Sequence, residues 1–289
     1  MKKTAIILLS LFTVTGLKAE KPDSLKYWKT GGMGSLLFSQ LSLTNWAAGG
    51  QNSISFNSFF NLFSNYKKEK TTWDNTFDIA YGITKQNGLP SRKADDRIEL
   101  NSKYGQYAFK HWYYSGLLQL KSQMAYGYKY PNDSVRISSF MAPGYLSVAI
   151  GMDFKPSAKF TLFISPLTGK GTFVIDTFLS NKGLFGVDAG KKFRGEFGGF
   201  IKSMFKYEIT KNITFQTKID LFSNYLKEPQ AIDVNWETMT AFKLGKYISA
   251  NLNTLLIYDK DIMIKDENGI EKDRVQMKEL FGLGFSYKF

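Results

Sequence analysis

Hydrophobic and polar residues alternate with a period of two along most of this 289-residue chain. The clearest runs are 213–221, 232–244 and 248–258, in which every second residue is apolar or threonine. Successive side chains of a β-strand point to opposite faces, so this alternation predicts strands with one apolar and one polar face. Runs of nine to thirteen residues are long enough to cross a bilayer at a tilt, whereas soluble sandwiches use strands of about five or six residues.

The same pattern, followed along the whole chain, predicts twelve strands. An even number is what single-chain bacterial barrels require. Ten and fourteen strands are the alternatives, depending on how segments 159–168 and 172–179 are assigned. The predicted strands are 34–44, 51–66, 71–85, 95–109, 112–130, 139–154, 159–168, 191–208, 212–226, 231–244, 247–262 and 275–289.

The connections between these strands alternate between short turns and long loops. This alternation of short and long connections is typical of a membrane barrel, which has short periplasmic turns and longer outer loops. We therefore predict an all-β fold, a transmembrane antiparallel up-and-down β-barrel over residues 34–289, in the outer membrane of a Gram-negative bacterium. Of the six loops, only 227–230 is no longer than the turns. The predicted turns are 67–71, 110–111, 155–159, 209–212 and 245–247, and the loops are 45–50, 86–94, 131–138, 169–190, 227–230 and 263–274.

The N-terminus has the features of a secretory signal peptide. Lys2 and Lys3 precede a short apolar stretch, and Ala19 offers a small residue for cleavage. We predict a cleaved signal peptide over 1–19, followed by a short periplasmic segment over 20–33.

The C-terminal strand ends on alternating aromatic residues. Gly284, Tyr287 and Phe289 match the terminal strand of bacterial outer-membrane proteins. This similarity predicts that the barrel-assembly machinery binds the chain through the strand that ends at Phe289.

Composition limits the chemistry that the chain can perform. There is no cysteine and only one histidine, His111, which excludes a disulfide framework and argues against a transition-metal site, so we expect no cofactor. No window after residue 19 approaches the roughly 18 apolar residues of a helical membrane span. The formal charge is +13, and the lysines concentrate at predicted turns and loops. We expect them to meet membrane lipid and lipopolysaccharide rather than nucleic acid.

Strand parity places a set of charged side chains in the lumen of the barrel. Their signs are mixed and come close to balancing. Two interpretations stay open: a water-filled pore with opposed charges, and an interior closed by salt bridges. The set is Asp74, Asp78, Arg97, Glu99, Lys103, Lys121, Arg194, Glu196, Lys218, Asp220, Asp233, Glu237 and Lys243.

The longest predicted connection, within 169–192, is unusually apolar. Its segment 172–179 has three possible roles: a constriction folded into the lumen, an outward hairpin, or a surface for an unidentified envelope protein.

Several short motifs of the chain carry a resemblance to a known family. They are Trp28 with Gly31 and Gly32, then Phe38-Ser39-Gln40 and NWAAGG (45–50), and further on PGYLSVAIGMDFKP (143–156) and TLFISPLTGK (161–170). With these motifs the chain resembles the domain-of-unknown-function family 3078, exported proteins of Bacteroidota. The resemblance implies an outer-membrane barrel and supplies no activity or catalytic residues. We expect the motif loop containing Asn45, Trp46, Gly49 and Gly50 to place a tryptophan at the outer rim, with glycines at a tight turn.

Three functions are compatible with these features. The first is a narrow channel or small-solute porin, as the polar lumen indicates. The second is a non-conducting structural or interaction barrel within a larger outer-membrane assembly. The third, the most remote, is an outer-membrane lipid hydrolase, which would need His111.

Overall fold

The computed structural model describes residues 27–43, 51–130, 133–265 and 270–289. This part of the chain consists mainly of β-strands, and most of the long ones follow the alternating runs of the sequence. In chain order the elements are β1 (Trp28–Leu41), β2 (Ser53–Lys68), β3 (Thr71–Gln86), β4 (Arg92–Phe109), β5 (Trp112–Ser122), β6 (Gly127–Tyr128), β7 (Arg136–Ser138), β8 (Gly144–Ser157), β9 (Phe160–Phe173), α1 (Thr177–Asn181), β10 (Phe193–Thr210), β11 (Ile213–Asn224), β12 (Ile232–Lys243), β13 (Ile248–Tyr258), β14 (Met263–Lys265), β15 (Glu271–Asp273) and β16 (Gln276–Lys288).

The twelve long strands form one closed antiparallel barrel. Each pairs with the next long strand along the chain, and β16 returns to pair with β1, so the order is β1, β2, β3, β4, β5, β8, β9, β10, β11, β12, β13, β16. The predicted twelve-stranded up-and-down barrel is confirmed. The pairs β6–β7 and β14–β15 are small hairpins in the loops. Among the described residues, no helix is long and apolar enough to cross a membrane.

All the short turns lie at one end of the barrel and all the long loops at the other. No turn between long strands exceeds the four residues of 244–247, and no loop is shorter than the five residues of 87–91. The predicted exception disappears, because the loop between β11 and β12 covers 225–231. Trp28 and Phe289 both lie at the short-turn end, since Trp28 pairs with Tyr66 and Phe289 bonds to Gly32.

The outer surface of the barrel is apolar. Leu36, Phe56, Ile150 and Phe285 each keep more than half of their surface exposed. A soluble protein would bury such side chains, whereas a bilayer covers a continuous apolar band of this kind. Aromatic rings gather at the short-turn end, where Trp28 lies 5.8 Å from Trp73 between ring centroids, as expected at a membrane interface.

The first strand begins six residues earlier than predicted, at Trp28 instead of residue 34. The last part of the predicted periplasmic segment 20–33 therefore belongs to the barrel wall. The start of this strand was missed because the glycines Gly31 and Gly32 interrupt the alternation of hydrophobic and polar residues. A Cβ at Gly32 would lie 2.6 Å from the ring of Phe289, so neighbouring aromatic rings occupy the space that a side chain would need.

Two other strand boundaries differ from the prediction for identifiable reasons. β9 continues to Phe173, five residues beyond the predicted end, because its register shifts against β8 and β10 and thereby reverses the parity of the pattern. β5 ends at Ser122, eight residues before the predicted end, and the tyrosine-rich residues that follow form the β6–β7 hairpin. The predicted signal peptide (1–19) and the NWAAGG loop (45–50) lie outside the described residues.

The seam between β1 and β16 is the shortest pairing in the barrel. It runs only from Met33 to Phe38 of β1, whereas β1 pairs with β2 along its whole length. Gly32 and Phe289 exchange two backbone hydrogen bonds of 3.0 and 3.1 Å. Because bonded and non-bonded pairs alternate along an antiparallel ladder, Ser35 and Ser286 form a non-hydrogen-bonded pair, with Cα atoms about 4.5 Å apart.

We predict that the variant Ser35→Cys/Ser286→Cys forms a disulfide across this seam. The expected Cα separation falls within the roughly 4.4–6.8 Å that a disulfide spans, and the chain contains no other cysteine. After oxidation and boiling in detergent, the cross-linked chain should migrate faster than the reduced chain on electrophoresis. The matched control is Leu36→Cys/Ser286→Cys, whose side chains point to opposite faces; equal cross-linking of the control would contradict the register.

Candidate functional site: the barrel lumen

Most of the charged residues predicted in the lumen form ion pairs. Of the thirteen charged residues predicted there, twelve form ion pairs with one another or with other inward-facing or outer-loop residues. Lys243 differs: it is exposed next to the turn between β12 and β13, and no ion pair involves it within the described part of the chain.

Two ion pairs cross the full width of the barrel. Arg97 on β4 contacts Glu237 on β12 at 2.7 Å, and Lys218 on β11 lies 3.5 Å from Asp78 on β3. In the closed order of twelve strands, β4 and β12 are six strands apart, and so are β3 and β11. Each pair therefore joins opposite walls of the lumen.

A hydrogen-bonded network lies beside these pairs. Asp220 accepts from Lys121 at 2.8 Å and from Lys202 at 2.9 Å, while Glu99 lies 3.9 and 4.0 Å from the same two lysines. The amide of Gln119 donates to both carboxylates at 3.3 Å. Buried charges are stable only when paired and hydrogen-bonded, and this network meets that condition.

A second charged cluster lies closer to the short-turn end. Asp153, which has no exposed surface, contacts Lys103 at 2.8 Å and Lys155 at 3.1 Å, and Lys155 also bonds to Asp74. Sequence reasoning missed Asp153 and Lys155 as lumen residues. It ended the strand at residue 154 and assigned Lys155 to a turn, whereas β8 continues to Ser157.

A cluster of apolar side chains also faces the lumen. They come from β5 and β8–β11 and are almost completely buried. Sequence reasoning missed them because it assigned apolar residues to the lipid face. The sequence does contain an indication of them. At Phe163-Ile164 and Phe200-Ile201 two adjacent residues of one strand are apolar, so one of the two must face the lumen. We call this set the interior apolar cluster: Leu117, Ala149, Phe163, Phe200 and Phe222.

The lumen contains two cavities. The outer cavity, towards the long loops, has a volume of about 350 Å³, and the inner cavity has a volume of about 100 Å³. Asp95, Arg97, Glu237, Leu255 and Lys278 line both cavities. The ion pairs Arg97–Glu237 and Asp95–Lys278 thus both lie at the boundary between the cavities.

Two long loops cover part of the outer end and share a small core. Ala142 of the loop 123–143 packs with Val174, Leu179 and Val187 of the loop 174–192, all at most 2% exposed. Of the apolar segment predicted at 172–179, residues 172 and 173 end β9, Val174 and Leu179 are buried in this core, and Ile175 and Phe178 stay exposed. From this loop, Phe185 reaches the lining of the outer cavity.

Charged residues surround the mouth of the outer cavity. Lys170 contacts Asp233 and lies 3.7 Å from Glu196 and 4.0 Å from Asp259. Asp261, in the following loop, accepts from Arg194 at 2.7 Å and Lys227 at 2.9 Å. Burial acts to raise the pKa of the Asp261 carboxyl, but the hydrogen bond from Lys227 and the charge of Arg194 outweigh it, so this pKa lies below its ordinary value.

The single histidine lies in the turn between β4 and β5. The ring of His111 contacts the ring of Phe154, with centroids 6.2 Å apart. Within the described residues, no serine or carboxylate is hydrogen-bonded to this ring, as a hydrolase triad would require. The same residues contain no cluster of histidine, cysteine, aspartate and glutamate side chains arranged to hold a metal ion.

Comparisons with known proteins agree with the family resemblance. Residues 38–128 match the model of a family described as "Protein of unknown function (DUF3078)". The matched region includes the motif loop 45–50, whereas the second motif region, 143–170, lies outside it. No curated protein matches the chain.

The chain is similar to solved structures that include an outer membrane channel, a porin and the translocator domain of an autotransporter. The outer membrane channel COG4313 from Pseudomonas putida F1 is 10% identical, with 93% of this chain and 99% of that chain covered and a TM-score of 0.40. The NanC porin is 7% identical, with 88% and 98% covered and a TM-score of 0.41. The translocator domain of the autotransporter NalP from Neisseria meningitidis is 11% identical, with 90% and 87% covered and a TM-score of 0.37.

We predict that Asp153→Ala destabilises the barrel by roughly 3–5 kcal/mol, because it removes the buried carboxylate that Lys103 and Lys155 share. The midpoint of urea unfolding, followed by tryptophan fluorescence of the protein refolded into lipid, measures the change. Glu228→Ala is the matched control: it removes an acid from the exposed Lys260–Glu228 pair and should cost at most about 1 kcal/mol. Equal shifts for the two variants would show that the Asp153 cluster does not stabilise the barrel.

Proposed function

We propose that this chain is an outer-membrane β-barrel with a narrow pathway for small solutes, closed at rest by the Arg97–Glu237 ion pair. The observation that carries the proposal is that the two lumen cavities are both lined by this pair. Separation of the two side chains would join the cavities into one longer space. The pair is called the gate below.

The lining of the inner cavity suits such a pathway better than the interior apolar cluster does. Ser35, Asn57, Asn251 and Asn253 line the inner cavity, and such side chains can bind water. The gate side chains keep 27% and 19% of their surface exposed, so water can reach both ions. Their separation therefore costs less than the separation of a fully buried pair.

An outer-membrane location is supported by the exterior of the barrel and by its topology. Lipid-facing apolar side chains, an even number of strands, and short turns at one end opposite long loops are features of outer-membrane barrels. By the same rule, the short-turn end faces the periplasm and the outer cavity opens towards the cell exterior. Membrane lipid, lipopolysaccharide and the barrel-assembly machinery stay predicted partners.

The proposed function is not enzymatic. The remote alternative, a lipid hydrolase, depends on His111, which lies in the turn between β4 and β5 against Phe154. That turn is at the periplasmic end of the proposed orientation, whereas a hydrolase of outer-leaflet lipid would need its histidine at the opposite rim.

We predict that Arg97→Ala/Glu237→Ala raises conductance several-fold over the wild-type barrel. The double variant removes both side chains from the boundary between the cavities. Because both partners are removed, neither charge is left without a partner. Single-channel recording in planar bilayers measures the change, with the wild type expected to show small or brief openings. The matched control is Lys260→Ala/Glu228→Ala, which removes an exposed ion pair of the outer loops and should conduct as the wild type does.

A second candidate function is a non-conducting structural barrel. The interior apolar cluster and the cross-lumen ion pairs favour it, because both fill space that a wide pore would leave open. The recordings decide between the two candidates. If the gate variant folds, as shown by heat-dependent migration on electrophoresis, and still carries no current, the channel proposal fails and the structural role stands.

A further inference from the structure

The outer cavity differs in character from a simple aqueous vestibule. Its volume of about 350 Å³ lies within the roughly 300–1,000 Å³ that is usual for small-molecule sites. One part of its lining is apolar, with Phe185, Phe222, Ile257 and Ile262. Apolar side chains that face water in a concave site favour a ligand with an apolar group, because its binding removes their surface from water.

The charged part of the lining is acidic. Seven carboxylate side chains line the outer cavity, against four lysine and arginine side chains. The excess is greatest near the mouth, where Lys170 is shared among Asp233, Glu196 and Asp259. One ammonium group does not neutralise three carboxylates, and Arg194 is already engaged by Glu196 and Asp261. A further positive charge would be favourable at this position.

A hydroxyl group completes this site. Tyr145 lines the outer cavity together with Asp233 and Asp259, and among the described residues its hydroxyl makes no hydrogen bond. Phenolic oxygens can accept a hydrogen bond from an ammonium group. The loop that supplies Phe185 is held in place by its own core, so the apolar wall is present before any ligand binds.

We propose that the outer cavity binds small organic cations that carry an apolar group, with the ammonium between Asp233 and Asp259 and the apolar group against Phe185 and Ile262. As a statement about the solute of the pathway, this inference rests on the proposed function. The binding itself can be measured without conduction.

The experiment titrates the refolded full chain, in a nonionic detergent, with phenethylamine, phenylethanol and phenylacetate by calorimetry. Titration of empty micelles corrects for partition into detergent. Phenethylamine should bind tightest, phenylethanol more weakly and phenylacetate weakest, because the three probes share one ring and differ in charge. Equal or tighter binding of phenylacetate overturns the proposal.

Variants locate the site within the barrel. Asp233→Asn keeps the side-chain shape and should weaken phenethylamine binding roughly tenfold, while Phe185→Ala should weaken both phenethylamine and phenylethanol. Glu228→Gln, an acid of the outer loop that does not line this cavity, is the control and should bind as the wild type does. Unchanged affinity of folded Asp233→Asn overturns the proposal. The chain could bind phenethylamine as expected while its gate variant carries no current. That combination would overturn the proposed channel function and would leave the proposed binding site intact.

Discussion

The ion pairs Arg97–Glu237 and Lys218–Asp78 join strands on opposite sides of the barrel, and the shape of the lumen depends on them. A charge inside a protein must be paired, and in a closed barrel its partner can come only from another inward-facing side chain or a loop. Long arginine and lysine side chains can reach across the interior, so the pairing brings opposite walls into contact. The lumen is therefore divided at its centre instead of continuous.

The apolar and the polar parts of the lumen lining have different physical properties. The interior apolar cluster is almost completely buried, and its close packing fixes the distances between β5, β8, β9, β10 and β11. The inner cavity is lined by β1–β4, β11–β13 and β16, whereas the outer cavity is lined by β4, β5, β8–β13, β16 and the long loops, with Phe200 and Phe222 of the cluster in its wall. Barrels of eight strands are filled by side chains and those of sixteen contain channels. This twelve-stranded barrel combines the two situations side by side.

The fold could be predicted from the sequence because its main signal is local. Alternation along 232–244 depends only on the difference between lipid outside and polar groups inside. The boundaries failed where that difference vanished: at Gly31-Gly32, where glycines accommodate aromatic rings from neighbouring strands, and at the register shift that hid the end of β9. Both depend on neighbouring strands, which alternation within one segment does not specify.

The lumen could be predicted only as a set of residues. Parity assigned Arg97 and Glu237 to the interior, but the fact that they meet depends on the number of strands between them around the barrel. The interior apolar cluster was missed for a related reason: Phe163 and Phe200 look like lipid-facing residues until the register shows that Ile164 and Ile201 occupy the outer face.

The outer loops are held together too firmly to act as a movable lid over the lumen. Loops 123–143 and 174–192 share the core of Ala142, Val174, Leu179 and Val187. Asp176, which caps α1, also pairs with Arg136 and accepts a hydrogen bond from Ser139, so both loops hold it. A lid would have to expose this core to move. Rotation of the Arg97 and Glu237 side chains exposes no apolar core and breaks one ion pair that water already reaches. In the proposed channel, the barrier of lowest cost therefore lies at the centre of the barrel, and the loops serve as a fixed wall of the outer cavity.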